Sequence, residues 1–281
     1  MSTKPDPLHG LPPVPAAAGD FSRVESGVQI TSRQGRRPYQ EDRHLVQSGL
    51  DIPDARKFLA EAFHAAAVDT NKYRSGATGT GVVISKDGKL NAAFLGDSPV
   101  IIFTHDKTTG DVTARKITRD HHAAIASEKE KVEDAGGRVH ENGRVDGRLM
   151  LSRAFGDAGI TGVLREPEFV SVDLKKDLDA GRDVYVMVSS DGLLEGTRHR
   201  DYIAPLKQAI ADGATDALAD IFTALAYHNG SEDNLTAAIY KIPAKQNGDL
   251  FIALADGHGG KAAAEKVVET FEAKARLHLK P

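Results

Sequence analysis

Near its C-terminus the chain runs Leu250-Phe-Ile-Ala-Leu-Ala-Asp256-Gly-His258-Gly-Gly260. Six apolar residues in a row, closed by a glycine-rich turn, read as a buried strand. An amphipathic helix over about 261–277 follows, with Ala264, Val268, Phe271 and Ala275 on its inward stripe. A strand and tight turn that present an Asp and a His together have the form of a metal site. The acids able to complete it lie far off in sequence, at Glu41-Asp42, Asp191 and Asp233. A fold that uses this unit must therefore assemble its site from both ends of the chain.

The segments between are legible by the same rules. Strands are predicted at 27–33 and 43–50, on either side of the turn Gly35-Arg-Arg-Pro-Tyr. Further strands are predicted at 79–85, 90–95 and 99–104, the first two joined by Lys86-Asp87-Gly88. Residues 54–70 carry Phe58, Leu59, Phe63 and Ala66 at helical spacing, with Asp51 as the expected cap and Pro53 in the first turn. A helix at about 127–135 should stop at Gly136-Gly137. The run 182–190, with Val184, Val186 and Val188, reads as a buried strand ending in Asp191-Gly192. A helix pair fills 201–228, and Asp233-Asn234 opens a strand from Leu235 to Ile242. Many strands with two sets of helices predict a layered α/β sandwich. Residues 1–24, rich in Pro and Ala, are expected to be a flexible tail before a single domain over 25–281.

Composition narrows the chemistry. The 281 residues carry a formal net charge of −4, so no general nucleic-acid or membrane surface is expected. There is no cysteine, which removes disulfides, thiolate metal sites and a cysteine nucleophile. No run reaches membrane-spanning length, and the N-terminus lacks the order of a signal peptide. A cytoplasmic location is the expectation, although some secreted bacterial proteins also lack cysteine.

Acids stand at strand ends or beside turns: Glu41-Asp42, Asp120, Asp191, Asp233 and Asp256. A lone Asp-Gly is ordinarily just a turn. Several gathered at one sheet edge would repel each other unless cations neutralise them. Oxygen ligands without sulfur suit hard ions, Mg²⁺ or Mn²⁺. Two such ions, roughly 3.5–4 Å apart, can activate a water as nucleophile. Arg37, four residues before Glu41, can grip phosphate oxygens with its guanidinium, or can be a plain surface arginine. His258 is placed to protonate a leaving alkoxide, or to bond a backbone carbonyl. His121, His122, His199 and His228 show no ligand spacing.

These residues resemble the metal-dependent Ser/Thr protein phosphatases of type 2C. The matching blocks are Gly35-Arg-Arg37-Pro-Tyr-Gln-Glu41-Asp42, Ser75-Gly-Ala-Thr-Gly79, Leu95-Gly-Asp97-Ser98, Thr118-Arg-Asp120-His121, Glu130 through Gly137, Leu151-Ser-Arg-Ala-Phe-Gly-Asp157, Ser190-Asp191-Gly-Leu, Ser231-Glu-Asp233-Asn234 and Asp256-Gly-His-Gly-Gly260. The resemblance implies a four-layer α-β-β-α sandwich with a two-metal site at one edge. It implies that Asp256 bridges two Mg²⁺ or Mn²⁺ ions, that Asp191 and Asp233 hold one, and that Glu41 and the Gly257 carbonyl serve the other. Asp42 would act through a bound water, and Asp120 with Asp191 would hold a weaker third ion. Arg37 would bind the substrate phosphate and His258 would be the general acid. Ser152-Arg153, Gly96-Asp97 and Asp157 match blocks read mainly as structural. The implied reaction is direct attack of metal-activated water on phosphoserine or phosphothreonine, with no phosphoenzyme. A phosphorylated protein is the implied substrate, and a monomer is expected.

The order of the pieces departs from the family. There the Asp-Gly-His-Gly-Gly strand and its helix follow the strand after Glu-Asp; here that unit, 249–281, comes after the last strand. With 1–50 as the first piece and 51–242 as the third, this is a transposition of one strand-helix unit, not a circular permutation. Strand polarity makes it tolerable. The unit should begin and end at the edge remote from the metals, and the linker 243–248 can span at most about 20 Å. The expectation is that 249–281 occupies its usual place; the short linker argues against insertion into a neighbouring molecule. Two smaller departures are Pro99 where the family usually has Arg, and a short 157–166 region where a substrate-selecting flap usually sits. A non-catalytic binding relative would typically have lost metal acids, whereas all are retained here. A hydrolase of small phosphate esters would keep the same chemistry and change only the substrate.

Overall fold

The computed structural model of the protein describes residues 11–280. The strands in chain order are β1 (Phe21–Glu25), β2 (Val28–Arg33), β3 (Arg43–Leu50), β4 (Gly76–Ala77), β5 (Gly79–Ile84), β6 (Lys89–Leu95), β7 (Val100–His105), β8 (Val112–Lys116), β9 (Phe155–Gly156), β10 (Glu168–Asp173), β11 (Asp183–Ser189), β12 (Leu235–Lys241), β13 (Asp249–Ala255) and β14 (Gly257–His258). The helices are α1 (Ala55–Thr70), α2 (Ala126–Asp134), α3 (Lys175–Asp179), α4 (Ile203–Ala211), α5 (Leu218–His228) and α6 (Ala262–Arg276). They fall into two compact units. One takes the chain up to Gln40, Val100–Ile117 and Leu174–Gln246; the other takes Glu41–Pro99, Thr118–Asp173 and the chain from Asn247.

The first unit is built on an antiparallel sheet in the order β1-β2-β12-β11-β7-β8. Apolar residues of α4 and α5 (Leu206, Leu218, Ile221, Phe222) bury against Ile101, Phe103, Tyr185, Met187 and Ile239 of the strands. Phe222 meets Tyr202 with ring centroids 4.6 Å apart and Phe103 at 5.6 Å. Burying each such side chain is worth about 1.5–3 kcal/mol. The strand β1 begins at Phe21, inside the stretch expected to be a tail, and pairs along its length with β2. Its residues are mostly exposed, so no buried alternation marks it in the sequence. Residues 1–10 of that tail lie outside the described residues.

The second unit holds an antiparallel sheet in the order β10-β6-β5-β13-β3. The C-terminal strand β13 thus lies between the chain's own β3 and β5, and all seven of its residues are buried. Helix α1 packs on this sheet through Phe58, edge-on to Phe251 at 5.1 Å, and α6 through Phe271, 6.0 Å from Phe251 and 5.0 Å from Phe63 of α1.

The remote end of β13 is tied down at several points. Asp249 is buried, and its two carboxylate oxygens accept from the backbone N–H of Ile52 (2.8 Å) and Lys86 (3.0 Å). The returning tail closes on the same place, with Asp51 N–H donating to His278 C=O at 2.9 Å and Leu50 bridged to Leu279. This corrects the expected start of α1. Asp54, not Asp51, caps the helix, its carboxylate accepting from Lys57 N–H at 3.0 Å. Pro53 precedes the cap rather than sitting in the first turn.

Candidate functional site

In the first unit three segments leave one end of the sheet together. Leu235 pairs with Arg33, and Ser190 N–H donates to Thr236 C=O at 3.0 Å, so the turn after β2, the Asp191 turn and the Asp233 turn are neighbours. Gly35, at φ +65°, lies where a Cβ would collide with the Asp233 carbonyl oxygen. Gly192 is pressed in the same way against the Asn234 carbonyl. Only residues without a side chain allow these backbones to approach so closely.

The Asn234 amide spans the 34–39 turn, donating to Gln34 C=O (2.8 Å) and Tyr39 C=O (2.9 Å). Gln40 secures the next residue through Ser32 Oγ and Arg33 C=O. Held this way, Arg37 places Nη2 2.5 Å from Asp233 Oδ2, with about half of its side chain still exposed. The unit therefore brings together Arg37, Asp191 and Asp233.

In the second unit the last pair of the β13–β3 ladder is Ala255 with Arg43, so the next residues, Asp256 and Asp42, leave the sheet side by side. Asp42 is buried. Asp256 is fixed through its backbone: Thr78 N–H donates to Asp256 C=O at 2.8 Å, and Asp256 N–H to Thr78 Oγ1 at 3.2 Å. A Cβ on Gly257 would sit 2.7 Å from the Glu41 carbonyl oxygen, so these two backbones touch. Asp120 stands beside the Gly96 turn, which is locked to the following residue by His121 N–H to Gly96 C=O and Gly96 N–H to His121 Nδ1, both 3.1 Å.

The second unit thus gathers Glu41, Asp42, Asp256 and Gly257 at one sheet end, with Asp120 on a neighbouring turn. The donors are carboxylates plus the Gly257 carbonyl, all oxygen, which fits a hard divalent ion. Among the described residues no three His, Cys, Asp or Glu side chains are drawn into a closed metal cluster. Asp233 is turned to Arg37.

The block around Ser152-Arg153 is a buried ion network. Glu128, fully buried, accepts from Ser152 Oγ, from Arg153 Nε and Nη2, and from Lys131. Burial pushes its carboxyl up, but those hydrogen bonds outweigh burial and hold it well below the usual carboxylate range. Glu168, gripped by Arg119, is lowered to about 2. His121 is fully buried and stacked on Phe94, and burial, with the nearby Arg153 charge, pushes it down to about 4. His122 binds Asp97 at 2.9 Å and His228 the Pro12 carbonyl at 2.7 Å, so these rings have structural partners.

One polar contact was not foreseen. His258 Nε2 lies 2.8 Å from Asp157 Oδ2, on a residue read as structural. The two are 101 positions apart, and the small sheet β14-β4-β9 joins them.

Comparison with known proteins gives one answer. The family model described as Protein phosphatase 2C matches residues 27–235. The chain is 30% identical over 215 residues to "Protein phosphatase fem-2" of Caenorhabditis elegans, covering 74% of this chain and 44% of that protein. It is 27% identical over 216 residues to "Probable protein phosphatase 2C 59" of Arabidopsis thaliana, covering 74% and 65%. The chain spans about half the length of several of the curated relatives it matches. Among solved structures, a C. elegans sex-determining protein superposes with TM-score 0.61 at 22% identity, over 80% of this chain and 66% of that one. A serine-threonine phosphatase 2C from Toxoplasma gondii gives 0.58 at 18% identity, over 77% and 94%. These likenesses show a shared mixed α/β fold with several antiparallel sheets.

Proposed function

We propose that this chain, which belongs to the protein phosphatase 2C family, is a Mg²⁺- or Mn²⁺-dependent protein serine/threonine phosphatase. The observation that carries the reading is that five of the six family acids stand at strand ends held by backbone contacts: Asp191 and Asp233 in one unit, Glu41, Asp42 and Asp256 in the other. Asp256 would bridge two ions, Asp191 and Asp233 would hold one, and Glu41 with the Gly257 carbonyl would hold the other. Asp42 would act through water, and Asp120 with Asp191 would take a weaker third ion. When bound, the ions supply activation of the attacking water and neutralise charge on the phosphoryl group.

The protein's own groups do the rest. Arg37 offers a fixed, half-exposed guanidinium to the phosphate oxygens. His258 delivers a proton to the leaving serine or threonine oxygen. The segment 249–281 would serve as the family's displaced strand-helix unit. Support for this is the slot of β13 between β3 and β5, and a family match that ends before it begins. The substrate class is a phosphorylated protein.

The test is Mn²⁺-dependent hydrolysis of a phosphothreonine peptide and of p-nitrophenyl phosphate, with Asp256→Asn as control. Equal rates in wild type and variant would sink the catalytic reading. A panel of phosphopeptides against nucleotides tests the substrate class; faster turnover of nucleotides would replace the protein substrate by a small phosphate ester.

A further inference from the structure

The contact between His258 and Asp157 is built with more care than a chance surface pair requires. The small sheet sets it: His258 pairs with Gly76, and Gly76 pairs with Gly156, the residue before Asp157. Gly76 lies between the two side chains, and a Cβ there would collide with both Asp157 Oδ2 and His258 Nε2. The central position of this sheet is thus open only to glycine if the pair is to form.

The Asp157 side is held under strain. Gly156 has φ +72°, and a Cβ on it would strike the Ser75 carbonyl oxygen. Asp157 itself has φ +51°, a left-handed conformation that non-glycine residues seldom adopt. It is kept there by its own N–H, which donates to Ser75 C=O at 3.0 Å. Strained backbone of this kind persists where the surroundings over-determine it, often at functional sites. Beside it, Arg165 donates to the carbonyls of Ala154 and Gly156. Burial pushes the Arg165 guanidinium down, and the Asp157 charge works against that.

Exposure divides the pair. The Asp157 side chain is 5% exposed and the His258 side chain 32%. A buried carboxylate needs a partner, and its ring partner is anchored at Nε2 while about a third of the His258 side chain stays open to solvent. An acid that must meet a substrate oxygen at hydrogen-bond distance gains from such an anchor, because loss of orientation costs rate.

We propose that Asp157 is the positioning residue of His258: it accepts the Nε2 hydrogen, fixes the ring, and makes Nδ1 the atom that hands its proton to the leaving oxygen. This rests on the reading of His258 as general acid. The proton moves from Nδ1 to the alkoxide released as the phosphorus–oxygen bond breaks, and Nε2–H stays on Asp157 throughout.

The experiment exploits leaving groups. A phosphothreonine peptide releases a strongly basic alkoxide that needs a proton; p-nitrophenyl phosphate releases a stable phenolate that does not. Wild type, Asp157→Asn and His258→Asn are assayed on both with Mn²⁺. Asp157→Asn should lower kcat on the peptide at least about tenfold. Its kcat on p-nitrophenyl phosphate should fall far less than on the peptide, with KM and melting temperature near wild type, and His258→Asn should show the same split. If His258→Asn splits the substrates and Asp157→Asn does not, the anchor is wrong and the general acid stands. If His258→Asn itself shows no split, the general-acid reading fails and this inference falls with it. Imidazole nitrogen resonances of the wild-type protein give a check that needs no variant. The ring should carry hydrogen on Nε2, and an Nδ1–H ring whose Nε2 is bare overturns the assignment.

Discussion

Removing the Asp249 carboxylate should loosen the C-terminal unit first and the rest of the protein after it. The side chain is 4% exposed, and its two oxygens satisfy the N–H groups of Ile52, just ahead of α1, and Lys86, in the β5–β6 turn. Asp249→Ala orphans both donors. A buried unsatisfied donor costs about 1–3 kcal/mol, and two give about 2–6 kcal/mol. Relief of the buried charge and water entering the space offset part of this, leaving a net loss of about 3 kcal/mol. Against a total stability on the order of 5–15 kcal/mol that is a large fraction. Asp249→Asn keeps one acceptor oxygen and should lose about half as much. Urea unfolding gives the magnitude from the midpoint at unchanged slope. Amide hydrogen exchange gives the location: Leu250–Gly257 should lose protection before the β5–β6 hairpin does. An Asp249→Ala midpoint equivalent to less than about 0.5 kcal/mol, or loss of protection spread evenly over the sheet, would refute the reasoning.

Three further outcomes are expected. Gly35→Ala should destabilise by about 2 kcal/mol or more, because alanine resists φ +65° and its Cβ strikes the Asp233 carbonyl; a thermal midpoint equal to wild type would contradict this. Glu128 and Glu168 have lowered folded-state pKa values, so their stabilisation is present above about pH 4.5 and is lost as pH falls toward about 2. Glu128→Gln should therefore be less stable at pH 7, by about 3 kcal/mol for a broken buried pair, and should show a shallower acid unfolding profile; an unchanged acid slope would count against the network. Truncation after Gly248 removes β13 and both α6 and the Asp256 turn, and should abolish Mn²⁺ binding and turnover; a truncated protein that still hydrolyses the peptide would overturn the assignment of Asp256.

Much of the fold was legible because its signals are local. The apolar run of β13, the Lys86-Asp87-Gly88 turn and the Gly136 stop each follow from a few adjacent residues, and the structure has them within a residue or two of their expected limits. The start of α1 was misjudged because two aspartates, Asp51 and Asp54, could each cap it. In the structure Asp54 takes the Lys57 N–H, while Asp51 is tied by its own N–H to the His278 carbonyl from the far end of the chain. The strand β1 was missed because edge strands with exposed side chains carry no hydrophobic alternation. The acids at strand ends were readable from Asp-Gly and Asp-Asn steps after apolar runs. Asp157 was not, since its partner is fixed by a short three-stranded ladder, with Gly76 at its centre, that no local pattern reveals. A signal was nevertheless present: glycines at 76 and 156 flank the two motifs that the ladder joins.

The carboxylates at these strand ends, Asp256 foremost, are proposed to bind the metal ions on which phosphatase activity depends. The most direct measurement is calorimetric titration of Mn²⁺ into the full chain and into Asp256→Asn, with melting temperatures matched to exclude misfolding. Wild type should take up Mn²⁺ at two sites, and the variant should bind it far more weakly at both. Identical isotherms for the two proteins would contradict the account.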